Sequence, residues 1–405
     1  MITRLAERTR TAVALTGAFA VVVAAGCMPD YNPSNFIEKY RVIGVMAEPP
    51  AVEFTPEYQG TVRLELVEAF PLPPTGDLVG PEIEGIEWSV CLISAGAAAN
   101  FACTLPEIPV TDVSDSGRIA TFDGALIALG LEFVRDQVEV LMDGIRQAVA
   151  FTDQCNKDLI AEYDDCLKDG DLETCNGNAF EGFRKCVFQN GLNPVFKVRV
   201  TVRDMLLDDS DLPVFDDDGK PVMRQRVLET FKTVTFGGLK KGQKPNRNPQ
   251  FSVRLGAQPV DDLFDMMHPE GLVATTLGNH EQPEILACPG QEIVFQATVP
   301  PDSIDRVTGD DGVETDEYWV ISWYANNGRF KKIRIGSVTA EGVDLDLTNT
   351  LKFKEEEPVR RTQVTLVMRD ELFGLNFLRF FVEAQTRDKC PAPGTLDSLK
   401  KGDKP

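Results

Sequence analysis

The chain predicts a mostly β fold of two β-sandwich domains, the first interrupted by a helical hairpin stapled by disulfides. Three observations carry this. Short runs of alternating polarity recur near both ends of the chain, as in Thr61 to Ala69, Val195 to Val202 and Gln363 to Arg369. Period two marks a half-buried strand. Between the first two of these runs the apolar residues switch to spacings of three and four. That middle stretch also holds two equally spaced cysteine pairs, Cys155/Cys166 and Cys175/Cys186.

The elements follow in chain order. Tyr40 to Ala47 reads as a strand closed by Glu48-Pro49-Pro50, and Gly85 to Ile93 as another. Leu131, Val134, Val138, Leu141, Ile145 and Ala148 then line one helical face, continued by Cys155, Leu159, Tyr163 and Cys166. This is one amphipathic helix, or two in tandem with Gly144 as the weak point. Asp171 is the N-cap of a further helix that Asn190-Gly191 stops. Strand signals return at Val195 to Val202 and Met223 to Phe236, with the turn Asp216-Asp217-Asp218-Gly219 between them, and Phe251 to Leu255 completes the region. The last part runs through Ile293 to Val299, Tyr318 to Tyr324, Val343 to Leu347, Gln363 to Arg369 and Phe377 to Ala384. Asp310-Asp311-Gly312 and Asn326-Asn327-Gly328 supply turn chemistry. Short strands at this spacing build sandwiches. The first strand set is too small to close a core alone, so the helices are read as an insertion.

The N-terminal residues are of another kind. Arg4, Arg8 and Arg10 precede a bland apolar run, Thr11 to Ala25, that ends Val23-Ala24-Ala25-Gly26-Cys27. A basic start, a short apolar core and small residues before a cut form an export signal. The run is shorter than the roughly 20 residues a bilayer span needs. Small residues directly before a cysteine resemble a bacterial lipobox, which implies that Cys27 carries the acyl chains (palmitate among them). The other reading is cleavage after Ala25 with a free thiol. Loss of residues 1–26 takes the formal charge from −22 to −24. So acidic a chain argues against nucleic acid, which rewards clustered Lys and Arg, and against lying flat on anionic lipid. Attachment would be by lipid, and stable anchoring takes two chains or more.

Nine cysteines less Cys27 leave eight, an even count that reads as a disulfide framework in an exported protein. Each pair in the middle stretch is separated by about three helical turns and so lies on one face. Antiparallel helices then match Cys155 to Cys186 and Cys166 to Cys175. The spacing resembles the twin cysteine repeats of small helical-hairpin proteins. The rival is a thiolate metal site, but zinc sites favour two to four residues between paired cysteines. Cys91 and Cys103 bracket a small-residue loop. Cys288 and Cys390 flank the second strand set and would tie its ends together.

The strand segments carry a further resemblance. Tyr40-Arg41-Val42-Ile43-Gly44-Val45-Met46-Ala47-Glu48-Pro49-Pro50, Asn246-Arg247-Asn248-Pro249, Trp323-Tyr324-Ala325-Asn326-Asn327-Gly328 and Val367-Met368-Arg369-Asp370 with Gly374 resemble motifs of uncharacterised predicted lipoproteins of myxobacterial type. The resemblance implies an outer-membrane lipoprotein with tandem immunoglobulin-like β-sandwich domains. It implies no substrate, and it does not cover the helical insertion.

Catalytic constellations are sparse. His268 and His280 are the only histidines and lack His-x-x-x-His spacing. There is no Gly-x-Ser-x-Gly elbow and no phosphate loop. A carboxylate pair of glycosidase type stays open because acids are abundant. Asp204, Asp208, Asp209, Asp211 and Asp216 to Asp218 could hold Ca²⁺; solvated turns are the commoner reading. Trp88, Trp319 and Trp323 could stack on sugar; core packing is the commoner reading.

The chain is thus expected to comprise a signal segment at 1–26, a tether at 27–39, a sandwich at 40–258 with a helical insertion at 122–191, a linker at 259–271, a second sandwich at 272–390 and a disordered tail at 391–405. The function expected is non-enzymatic binding or scaffolding in the cell envelope, attached to the outer membrane through lipid, with no metal or cofactor and no nucleic-acid partner. One alternative is a subunit of an envelope secretion, motility or transport assembly. Another is an envelope glycan hydrolase.

Overall fold

A computed structural model describes residues 36–54, 60–71, 80–96, 100–147, 154–208, 213–237, 246–255, 272–273, 284–287, 292–308, 313–339, 342–344, 346–353 and 361–384. The fold over these residues is mostly β, in several sheets with a group of helices.

The first strands are β1 (Arg41–Glu48), β2 (Ala51–Val52), β3 (Thr61–Ala69), β4 (Glu82–Cys91), β5 (Ile108–Pro109), β6 (Asp112–Val113) and β7 (Ile119–Asp123). Helices α1 (Ala125–Val134), α2 (Val138–Gln147), α3 (Gln154–Asp169) and α4 (Leu172–Asn190) follow, with a 3₁₀ turn at Arg135–Gln137. Strands resume as β8 (Val195–Met205), β9 (Met223–Thr233) and β10 (Thr235–Phe236). One sheet runs β1-β3-β7-β6 and another β5-β4-β8-β9. β4, which precedes the helices, pairs antiparallel with β8, which follows them, from Glu82↔Arg203 to Cys91↔Val195. The helices therefore interrupt a sheet rather than separate two.

Alternation explains the first core. Val62, Leu64 and Leu66 from β3 meet Phe196, Val198, Val200 and Val202 from β8 in one buried cluster. Ile127, Leu141, Ile145, Leu159, Phe180 and Phe183 join that cluster from the helices. The helical segment thus packs on the sheets' core. Asp171 caps α4, accepting the Thr174 N–H at 2.9 Å, and Gly191 ends it at φ 83°. The break in the earlier helical stretch falls at Arg135–Gln137, while Gly144 lies inside α2.

The second set comprises β11 (Ser252–Leu255), β12 (Leu272–Val273), β13 (Glu284–Ala287), β14 (Glu292–Thr298), β15 (Arg306–Thr308), β16 (Glu314–Asp316), β17 (Trp319–Ala325), β18 (Arg329–Phe330), β19 (Arg334–Thr339), β20 (Gly342–Asp344), β21 (Thr348–Lys352), β22 (Thr362–Asp370) and β23 (Leu375–Ala384). They form sheets β12-β11-β14-β21-β18 and β13-β23-β22-β17-β19-β20 around a second core that includes Phe295, Trp323, Leu366 and Phe380.

Two expectations are corrected here. Phe251 to Leu255 was assigned to the first sandwich, yet β11 pairs with β14 from Ser252↔Thr298 to Leu255↔Phe295, and Phe251 and Val253 are buried in the second core. A four-residue strand carries too little pattern to say which sheet it joins. Of the described residues in the strand expected over Val343 to Leu347, only Val343 and Asp344 are strand, at the end of β20; the next strand, β21, begins at Thr348 and joins the other sheet.

A third, smaller cluster joins the two sets. Ile37, Ile43, Met46, Val67 and Ala69 pack against Val367, Leu375 and Phe377. β22 is buried on both faces, Leu366 inward and Val367 outward. The four large sheets therefore share three apolar clusters, of which the middle one, the seam, lies between the two sets.

Candidate functional site

An open, mainly apolar groove of about 380 Å³ lies between α1 and the segment Leu105–Pro109. The Cys91–Cys103 bridge, with Cα atoms 5.5 Å apart, turns the chain back along β4. The Thr104 N–H donates to the Ile93 carbonyl at 3.0 Å, and that of Val110 to the Trp88 carbonyl at 2.9 Å. These bonds fix one wall, with Leu105 and Ile108 facing the groove. The other wall follows from the sequence of α1, Ala-Leu-Ile-Ala-Leu-Gly-Leu-Glu-Phe-Val. With apolar residues around most of its circumference, such a helix cannot hide them all against one core. Ile127 is fully buried, while Leu126 and Leu129 are 38% and 64% exposed. Gly130 lets α1 approach, since a Cβ there would lie 2.7 Å from Leu92 Cδ1.

Glu107 is the charged group of the groove wall. It accepts from Ser89 Oγ at 2.8 Å, Lys197 Nζ at 2.9 Å and Arg199 Nη2 at 2.9 Å, and Arg199 also pairs with Glu229 at 2.7 Å. The Arg199 hydrogen bond leads in holding its carboxyl at about 2, against the opposing effect of burial. A carboxylate so saturated is a poor proton donor near neutral pH. What the groove offers is apolar surface beside a neutralised polar edge, which suits binding.

A second cavity, about 230 Å³, is lined by Glu38, Lys39, Tyr40, Asp204, Met205 and Arg224 among others. Asp204 is ion-paired with Arg226. Burial lifts Glu317 to about 7, opposed by the Asp305 N–H that donates to it. Glu317 lines neither cavity.

The structure joins Cys91 to Cys103, Cys155 to Cys186 and Cys166 to Cys175; the latter two pairs have Cα separations of 5.7 Å and staple α3 to α4. Cys27, Cys288, Cys390, His268, His280, Asp209 and Asp211 lie outside the described residues, as do the Asp310-Asp311-Gly312 turn, the linker 259–271 and the tail 391–405. Trp88 and Trp323 are buried, the first donating Nε1–H to the Gly117 carbonyl at 2.7 Å. Asp216 accepts the N–H groups of Asp218 and Lys220, so its carboxylate builds the turn. Among the described residues no group of three or more His, Cys, Asp or Glu side chains is arranged to hold a metal ion. None of their helices is long and apolar enough to cross a membrane.

The four motifs behind the family resemblance meet at the middle seam. Asn248 Nδ2 donates to the Ala47 carbonyl at 2.6 Å, Asn326 Nδ2 to the Phe70 carbonyl at 3.1 Å and Arg369 Nη2 to the Ile43 carbonyl at 2.8 Å. Gly374 sits where a Cβ would strike the Asp370 carboxylate. These motifs join sheets. Sequence reasoning missed the groove; the signal was there in α1, which is apolar on more faces than the core needs.

No family model and no curated protein matches this chain. Among solved structures, trypsin-activated alpha-2-macroglobulin from Escherichia coli is similar over 89% of this chain and 18% of that one, at 10% identity and a TM-score of 0.17. Salmonella alpha-2-macroglobulin reacted with methylamine is similar over 86% and 17%, at 10% identity and a TM-score of 0.13. The chain spans less than a fifth of those molecules. Likeness at this level carries no argument about fold or function.

Proposed function

We propose that this chain is a lipid-anchored envelope protein, held in the outer membrane through Cys27, whose work is to bind or scaffold another envelope component. In this reading the four sheets are two immunoglobulin-like sandwiches, the first carrying the stapled helices as an insertion, and the chain is kin to the lipoproteins its motifs resemble. The observation that carries the binding role is the groove beside Leu126 and Leu129. Exposed apolar surface in a concave, backbone-fixed setting marks interaction sites.

A second reading, a subunit of an envelope secretion, motility or transport assembly, is favoured by Leu167 and Leu172. They are 42% and 50% exposed and lie within the loop that the Cys166–Cys175 bridge closes at the end of the hairpin.

Fractionation with co-purification tests the proposal. Cys27→Ala is expected to move the protein from membrane to soluble fractions. Wild-type protein from detergent-solubilised envelopes is expected to bring down a stoichiometric companion that Leu129→Glu loses. A Cys27→Ala variant that stays on membranes through high-salt and carbonate washes would overturn the anchor. A wild-type preparation with no companion would overturn the binding role.

A further inference from the structure

The middle seam joins sheets that each already have a core of their own on the other face, yet it is built with buried polar groups. Lys232, in β9 of the first set, is only 7% exposed. Its ammonium donates to the carbonyl of Phe373, in the turn between β22 and β23 of the second. Asp370, at the end of β22, is the opposite charge facing it, and Arg369 the like charge. Beside them Asn246 Nδ2 donates to the Leu372 carbonyl at 3.0 Å. The turn that receives these bonds is itself strained. Phe373 has φ 71°, a region bulky side chains avoid, and its ring is 59% exposed. Such a conformation persists only where its surroundings hold it. A lysine buried this deeply is costly unless its charge is met.

We infer that Lys232 is the bolt of a latch: it holds the turn Glu371–Gly374 in a socket of the first sheet pair, so that the two pairs move as one rigid body. Without the cation the turn leaves its socket, and the two pairs gain play at that end of the seam. Asn326, Arg369 and Arg379 tie the seam elsewhere, donating to the Phe70, Ile43 and Glu68 carbonyls. Lys232, with Asn246, is what ties the turn to it. The lowered pKa of the lysine, about 8 through burial, agrees with so enclosed a position.

Double electron–electron resonance tests this on the full chain. Spin-labelled unnatural residues would replace Val227 and Val313, which are 62% and 54% exposed, one in each pair. Wild type is expected to give one narrow distance distribution. Lys232→Met, which keeps the buried stem and removes the charge, is expected to broaden it at least twofold. Phe373→Gly, which relieves the strain and leaves the accepting carbonyl, is expected to keep it narrow. Should Lys232→Met fail to fold, Asp370→Asn serves in its place and is expected to broaden the distribution likewise. A distribution as narrow as wild type in the folded charge-removing variant would overturn the latch. Broadening by Phe373→Gly equal to that by the charge variant would also overturn it, assigning the coupling to turn conformation instead.

Discussion

Asn248 accepts the backbone N–H of Leu375 at 3.0 Å, across 127 residues of sequence, and so ties the start of β23 to the connecting segment. The same side chain donates to the Ala47 carbonyl at 2.6 Å and to Glu48 Oε2 at 2.7 Å. One buried amide thus serves the end of β1 and the beginning of β23. Its two halves do opposite work, which a carboxylate cannot copy, and a hydroxyl has one donor proton where this amide gives two.

Asn248→Ala leaves a buried N–H and a buried carbonyl without their partner. Each such loss costs about 1–3 kcal/mol, so the variant is expected to lose about 2–6 kcal/mol. Urea denaturation measures it. A loss below about 1 kcal/mol would show that water or a neighbour takes over both bonds.

The two helical bridges differ in the loops they close. Cys155–Cys186 spans 31 residues of separation and Cys166–Cys175 spans 9. In the chain-entropy model these closures contribute about 3.7 and about 2.6 kcal/mol. Replacing both cysteines of the outer bridge with serine is therefore expected to lower the thermal midpoint more than the same change at the inner bridge. The reverse order would place the stabilisation in contacts near Gly170, whose Cβ position lies 2.9 Å from Cys175 Sγ.

Glu317 supplies a pH dependence with a definite sign. Burial raises its folded-state value from 4.5 to about 7. Between those values the folded chain holds a proton that the unfolded chain has released, so stability falls as pH rises through that window. The contribution is full below 4.5 and lost above about 7. Glu317→Gln mimics the protonated form and is expected to gain stability over wild type at pH 8 and to match it near pH 4.5. Equal differences at both pH values would contradict the assignment.

Two glycines make opposite forecasts. At Gly336 a methyl would lie 2.4 Å from the Trp319 carbonyl oxygen and 3.0 Å from Val320 Cα, both backbone atoms. Gly336→Ala is expected to cost about 1–3 kcal/mol, as overpacking does. At Gly177, inside α4, nothing lies within 4 Å. Gly177→Ala is expected to gain about 0.5–1 kcal/mol through helix propensity. Thermal melts of both variants check the pair.

Legibility followed local chemistry. Asp171 and Gly191 could be read because caps and stops are encoded within a few residues of where they act. Phe196, Val198, Val200 and Val202 could be read because strict alternation has one explanation. The partner of a strand is encoded less directly: β11 was placed with the wrong sheet set because its four residues fit either core. Periodicity leaves one helix or two, with Gly144 as the weak point, whereas the chain turns at Arg135–Gln137, keeps Gly144 inside α2, and starts α3 separately at Gln154. The Asn326-Asn327-Gly328 turn was legible, but not that it carries the chain from β17 in one sheet to β18 in the other. The groove needed two segments far apart in sequence, and Glu107 and Lys232 gain their meaning only from residues about 90 and 141 positions away.

The central claim is that the groove beside α1 holds a partner. Photo-crosslinking in intact cells tests it most directly, with a photoreactive residue at position 129 and, as the control, at position 227, which is equally open to solvent and distant in sequence. The account predicts a discrete adduct from 129 that Leu126→Glu abolishes and no comparable adduct from 227. An adduct from 129 that is no stronger than that from 227, or that survives Leu126→Glu unchanged, would contradict it.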